Sequence, residues 1–157
     1  MVDVDYKMAG LTMKYPSDWK VESMSPDAAA FLPPGKEITD LFGEKFMIMN
    51  SDVKQFSKMP GLKDKPLTLE NIADESIKAM KQQGYQGGVQ KNESVKIGGL
   101  AAKKMTIEAE MEGTKLKINQ YIVLNAEKVY LITYSAKSDE YETFLSAIEK
   151  MISSIQF

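Results

Sequence analysis

The chain has 157 residues and a mass of 17.6 kDa, the size of one domain rather than two. Hydrophobic residues make up 43% and charged residues 27%, which excludes the disordered and fibrous classes. All 20 basic residues are lysines against 22 acids, giving a net charge of -2, and His, Cys and Arg are absent. With them go a disulfide scaffold, thiolate or imidazole metal ligation, a cysteine nucleophile, histidine acid–base catalysis and the bidentate guanidinium clamp for phosphate.

No window approaches the ~20 apolar residues of a membrane span. The start, Met1-Val2-Asp3-Val4-Asp5-Tyr6, is polar and acidic, unlike a signal peptide. Two readings follow: a cytosolic chain read from its own start, or a domain whose Met1 stands in place of a removed export or lipoprotein signal. The near-neutral charge, with no basic run longer than Lys103-Lys104, argues against nucleic acid or an anionic membrane surface as partner.

Leu11, Met13 and Tyr15 alternate with Thr12 and Lys14, the period of a half-buried strand, which Pro16 stops. Trp19 to Glu22 alternates again after a Ser17-Asp18 turn. Ala28 to Leu32 is a short apolar strand, and Phe46 to Met49 a continuous apolar run expected to be covered on both faces. Ser51 to Pro66 reads as loop. Thr68 fits a helix N-cap, and Leu69, Ile72, Ala73, Ile77 and Met80 form one stripe, predicting a helix over about 69–83 that ends at Gly84. Gly84 to Asn92 reads as loop and Glu93 to Ile97 as a strand. Gly98-Gly99 turns into a strand over Lys104 to Met111. Glu112-Gly113 is the next turn, and it sets Glu110 opposite Lys115, Ala109 opposite Leu116, Glu108 opposite Lys117 and Ile107 opposite Ile118. Leu116 to Asn125 and Lys128 to Ala136 form a further hairpin, apolar on both faces and therefore central in the sheet. Asp139 and Glu142 have capping-box spacing, and Tyr141, Phe144, Leu145, Ile148, Met151 and Ile152 define a C-terminal helix over about 139–154. Together these elements predict a single α+β domain over 1–157 with a central, mostly antiparallel sheet.

Few residues point to chemistry. Glu108, Glu110 and Glu112 place carboxylates on one strand face, where a hard cation could sit, but Lys115 and Lys117 across the hairpin explain the row as a solvated face. Asp3, Asp5 and Asp18 lack the spacing of a calcium loop. Gly98-Gly99 and Gly87-Gly88 lack the phosphate-loop and dinucleotide patterns and read as turns and loops. Ser51, Ser153 and Ser154 lie in no nucleophile motif. Of the eleven methionines, Met47, Met49, Met80, Met105 and Met151 fall on buried stripes. Met8, Met24, Met59 and Met111 lie near turns or strand ends, where joint exposure would mark a partner surface. Tyr121, Tyr130 and Tyr134 share one face of the central hairpin. They could line a binding pocket there, unless segment Pro34–Phe46 or the mid-chain helix covers them.

Several segments resemble the PsbP family and the DcrB-like lipoproteins grouped with it. Gly10-Leu11-Thr12-Met13-Lys14-Tyr15-Pro16-Ser17-Asp18-Trp19 is similar to the family's opening strand with its Tyr-Pro-x-x-Trp ending, and Lys96-Ile97-Gly98-Gly99-Leu100-Ala101-Ala102 to its glycine turn. Lys128-Val129-Tyr130-Leu131-Ile132-Thr133-Tyr134 resembles the strand after the second turn, and Ser153-Ser154-Ile155-Gln156-Phe157 the Ser–Phe close of the last helix. The resemblance implies an α/β/α sandwich and favours the exported reading of the amino terminus. Metal-binding histidines of some PsbP proteins have no counterpart here, since the chain has no His.

The sequence thus predicts a non-catalytic accessory or binding domain of the cell envelope. It would act as a monomer on an unidentified protein partner or small ligand, without cofactor or metal, and touch the membrane only through a lost N-terminal anchor. The alternatives are a small hydrolase using carboxylates or a Ser–Lys pair, and a cytosolic protein-binding adaptor.

Overall fold

The computed structural model describes residues 3–8, 10–39 and 43–157. The expected start at Met1-Val2 lies outside them, as does part of the segment Pro34–Phe46. The elements in order are β1 (Asp3–Met8), β2 (Leu11–Pro16), β3 (Lys20–Ser25), β4 (Ala28–Leu32), β5 (Lys45–Asp52), the one-turn α1 (Val53–Phe56), α2 (Leu69–Gln82), β6 (Gln86–Ile97), β7 (Leu100–Met111), β8 (Thr114–Asn125), β9 (Lys128–Lys137) and α3 (Tyr141–Ser153). Strands β3 to β9 form one seven-stranded sheet in the order β3-β4-β5-β9-β8-β7-β6, and β1 and β2 form a separate hairpin. Every strand pairing described is antiparallel.

Short turns dictate this topology. Gly98 and Gly99 both have positive φ, as do Glu112 and Gly113, the conformation of a two-residue hairpin turn whose twist matches the strands. The expected register is present: Glu110 faces Lys115, Ala109 faces Leu116, Glu108 faces Lys117 and Ile107 faces Ile118. Leu124 likewise faces Val129, and Val123 faces Tyr130. The apolar hairpin β8–β9 lies in the middle of the sheet.

Alternation then sends side chains to two cores. On one face α3 and the β1–β2 hairpin cover Phe31, Phe46, Ile48, Tyr130, Ile132 and Tyr134. On the other, α2 sets Ile72 and Ala73 against Ile107, Ile118, Ile122 and Val129. Each large aliphatic side chain fully removed from water contributes about 1.5–3 kcal/mol. The product is helix on sheet on helix, the α/β/α sandwich that the family resemblance implies.

One strand lies where none was expected, and four local expectations are corrected. Asp3–Met8 forms β1 because its partner β2 follows at once across Gly10; Tyr6 and Met8 pack toward the core while Asp3 and Asp5 stay outside. The loop expected over Gly84–Asn92 is mostly strand: β6 starts at Gln86, with a bulge between Val89 and Lys91. Gly87 sits inside that strand because a Cβ there would lie 2.2 Å from the Glu108 carbonyl oxygen. The run Phe46–Met49 is not covered on both faces; Phe46 and Ile48 are buried, whereas Met49 is 45% exposed. Helix α3 starts at Tyr141 with Glu140 as N-cap and no side-chain cap, so the Asp139–Glu142 capping box does not form. The segment expected as loop over Ser51–Pro66 holds the end of β5 and α1.

Candidate functional site

Tyr121, Tyr130 and Tyr134 do share a face, as β8–β9 pairing requires, but all three are buried. Their cover is α3 and the β1–β2 hairpin rather than the mid-chain helix. The Tyr134 hydroxyl donates to the Tyr141 carbonyl at 2.9 Å, and the Tyr130 ring meets Phe157 at 5.0 Å. Burial is the main reason that the Tyr121 and Tyr134 hydroxyls are pushed far above the ordinary tyrosine range, helped at Tyr134 by the Glu44 carboxylate. Rings held this way are core.

The acidic row opens outward. Glu108 and Glu110 are exposed, and neither closes an ion pair with its facing lysine among the contacts of the described residues. Lys117 instead lies over the Tyr141 ring, 4.5 Å from its centroid. Asp5 pairs loosely with Lys14, and Asp3 with Lys150, both at 3.9 Å. Among the described residues no three acids come together in a metal-binding group.

A groove of about 530 Å³ runs between the hairpin and α3. Lys14, Lys150, Ser153 and Ser154 line it, the residue types of a Ser–Lys nucleophile. Ser154 is already occupied: its Oγ donates to the Met151 carbonyl at 2.6 Å and accepts from the Lys14 backbone N–H at 2.8 Å. Both lysine side chains are solvent-exposed. The Ser154 hydroxyl in this groove is thus engaged by backbone groups on both sides.

One charged residue among the described ones is buried, and it is Glu44, 1% exposed. Strand alternation places it there: Glu44, Phe46 and Ile48 fall on one side as β5 is entered, the side of α3. The Lys36 ammonium lies 2.8 Å from Glu44 Oε2 and 3.9 Å from Glu140 Oε2. No directed hydrogen bond reaches either Glu44 carboxylate oxygen or Glu140 Oε2. Proximity to the Glu44 carboxylate raises the Glu140 carboxyl above the ordinary range. Although burial alone would raise Glu44, its contacts with Glu140 and Lys36 hold it below that range. Sequence reading passed over this site, although its signal is legible: an acid two residues before Phe46 and four before Ile48 belongs to a core-facing row. Glu44 and Glu140 do not line the hairpin–α3 groove.

Of the methionines, Met8, Met13, Met105 and Met151 are buried, while Met24, Met49 and Met59 are exposed. Met49 pairs with Ala28, and Met24 is the extra residue where β3 bulges beside that same Ala28. Two exposed methionines thus flank one alanine at the β3–β4–β5 end of the sheet.

The model of one family, described as PsbP-like protein, matches residues 2–157. The chain belongs to the PsbP-like protein family. The solution structure of cyanobacterial PsbP (CyanoP) from Synechocystis sp. PCC 6803 superposes with a TM-score of 0.67 at 16% identity, covering 98% of this chain and 91% of that one. LpqN, described as involved in cell envelope biogenesis of Mycobacterium tuberculosis, gives 0.60 at 17% identity over 99% and 88% of the two chains. A Pseudomonas aeruginosa protein of unknown function gives 0.60 at 15% identity over 97% and 94%. At these identities the likeness is one of fold. No curated protein matches the sequence significantly. Among the described residues no helix is long and apolar enough to cross a membrane.

Proposed function

We propose that this PsbP-like domain is a non-catalytic accessory domain of the cell envelope that works by binding another protein. The observation that carries the reading is the family match across residues 2–157. LpqN, the structural neighbour described as acting in envelope biogenesis, supports the location. The side chains support the mode of action, because Ser154 is spent on the fold and the Glu44 carboxylate is sealed from solvent. Exposed Met24 and Met49 supply adaptable apolar contacts of the kind that partner surfaces use.

The test is photo-crosslinking of the full-length native protein in cells, with fractionation, alongside a hydrolase screen of the purified domain on esters, glycosides and phosphoesters. The expected result is one reproducible crosslinked protein in the envelope fraction, lost in a Met24→Lys, Met49→Lys double variant of unchanged stability. Turnover abolished by a single replacement at Ser153, Ser154 or Glu44 would establish the hydrolase instead, and residence in the cytosol would establish the adaptor.

A further inference from the structure

A pocket of about 250 Å³ opens beside the start of β4, the end of β5 and the start of β9. Asp27, Met49, Asn50, Ser51, Asp52 and Lys128 line it. Asn50 is 4% exposed. Its backbone N–H and its Nδ2 both donate to the Asp27 carbonyl, at 2.9 and 3.5 Å, which leaves Oδ1 as the free end of the amide. No donor reaches that oxygen, although a buried acceptor ordinarily has a partner. Asp52 is paired with Lys128 at 2.7 Å. Asp27 is exposed, and its carboxylate closes no ion pair among the described residues. Two carboxylates against one ammonium leave the pocket with one negative charge in excess.

We propose that this pocket receives an arginine side chain of the partner protein, which rests on the protein-binding reading above and names the chemistry of its contact. A guanidinium donates in several directions and accepts nothing, the complement of a pocket in which the Asp27 carboxylate and Asn50 Oδ1 both lack a donor. Its single charge matches the excess carboxylate. It is also more weakly hydrated than an ammonium, so it gives up less water on entry. Met49, 45% exposed, lines the same pocket, and Met24, 50% exposed, lies at the β3 bulge beside Ala28. Their thioethers can pack on the aliphatic stem of the arginine and on the apolar residues next to it. The volume is below the range of about 300–1,000 Å³ of small-molecule sites, the size for one side chain rather than a metabolite. The chain itself has no Arg, so the occupant belongs to a different protein and not to a second copy.

The charges set the direction of each variant. Asp27→Asn keeps the shape of the side chain and removes the uncompensated charge, so it weakens arginine binding. Lys128→Gln releases Asp52 from its ion pair and leaves both carboxylates to the ligand, so it strengthens binding.

The experiment uses the whole chain and two probes, Nα-acetyl-arginine amide and its neutral isostere Nα-acetyl-citrulline amide, followed by NMR at the Asn50 side-chain amide and the Met49 methyl. The expected result is a saturable millimolar shift at both groups with the arginine probe and none with citrulline. Asp27→Asn should weaken that binding, and Lys128→Gln tighten it, by about two- to fivefold each, the size of an exposed charge pair, at unchanged melting temperature. Equal binding of the two probes, shifts that never saturate, or unchanged affinity in Asp27→Asn would overturn the pocket. In cells, Asp27→Asn should also diminish the crosslink described above. An undiminished crosslink would overturn the pocket as the docking point and leave the protein-binding reading in place. Arginine-probe binding with no crosslinked protein would instead sink that reading, and with it the protein origin of the side chain.

Discussion

Single residues in this fold carry constraints that differ sharply between neighbours. Tyr134 is fully buried and its hydroxyl donates to the Tyr141 carbonyl at 2.9 Å. Tyr134→Phe removes the donor without changing the ring, and it leaves a buried carbonyl short of a partner. The expected loss is about 1–2 kcal/mol of unfolding free energy, read from urea denaturation. Gly87 and Gly88 make a paired test on β6. A Cβ at Gly87 would collide with the backbone of Glu108 at a φ of +133, whereas at Gly88 it would meet nothing within 4 Å. Gly87→Ala should therefore cost about 1–3 kcal/mol and Gly88→Ala no more than about 0.5 kcal/mol, compared by the same denaturation midpoints. Equal effects at the two sites would contradict the close approach of β6 to β7.

At the scale of the element, local signals were legible wherever chain neighbours decide the structure. Thr68 caps α2 as its position suggests, its hydroxyl accepting from the Asn71 N–H at 3.1 Å. Thr68→Ala should lower stability by about 1 kcal/mol, seen as a lower melting temperature with unchanged activation of the rest of the fold. The hairpin registers of β7, β8 and β9 could be written down in advance because a two-residue turn leaves one pairing that keeps Ala109, Ile107, Leu116 and Ile118 on a common side. What escaped depends on distant partners. Gln86–Asn92 is polar, and its strand character comes from β7 beside it, not from its own composition. Asp139 and Glu142 have the spacing of a capping box, but Glu140 takes the N-cap position and its Oε2 lies 3.9 Å from the Lys36 ammonium. Strand alternation places Tyr121, Tyr130 and Tyr134 on one face, yet it cannot say what lies over that face, and α3 with the hairpin closes it.

For the molecule as a whole, the tyrosines set an alkaline limit. Burial raises the hydroxyls of Tyr121, Tyr130, Tyr134 and Tyr141 in the folded state. Stability linked to them is complete below the unfolded tyrosine value of about 10 and declines as pH rises above it toward the folded values. A melting temperature that stays level to about pH 9 and then drops is the expected outcome; a level curve to pH 12 would show these rings to be solvated. The same scale bears on metals. With no group of three acids among the described residues, millimolar calcium or zinc should leave the melting temperature unchanged, and a rise of several degrees would reveal a site.

The β2 strand is also tied far along the chain. Thr12 exchanges two backbone hydrogen bonds with Gln156, and Ser154 holds the Lys14 amide across a separation of 140 residues. The hairpin is therefore synthesised well before the segment it docks on, and its apolar side stays open to solvent until residues 154–156 have been made. Contacts of such wide sequence separation form late and leave early strands exposed to misassociation.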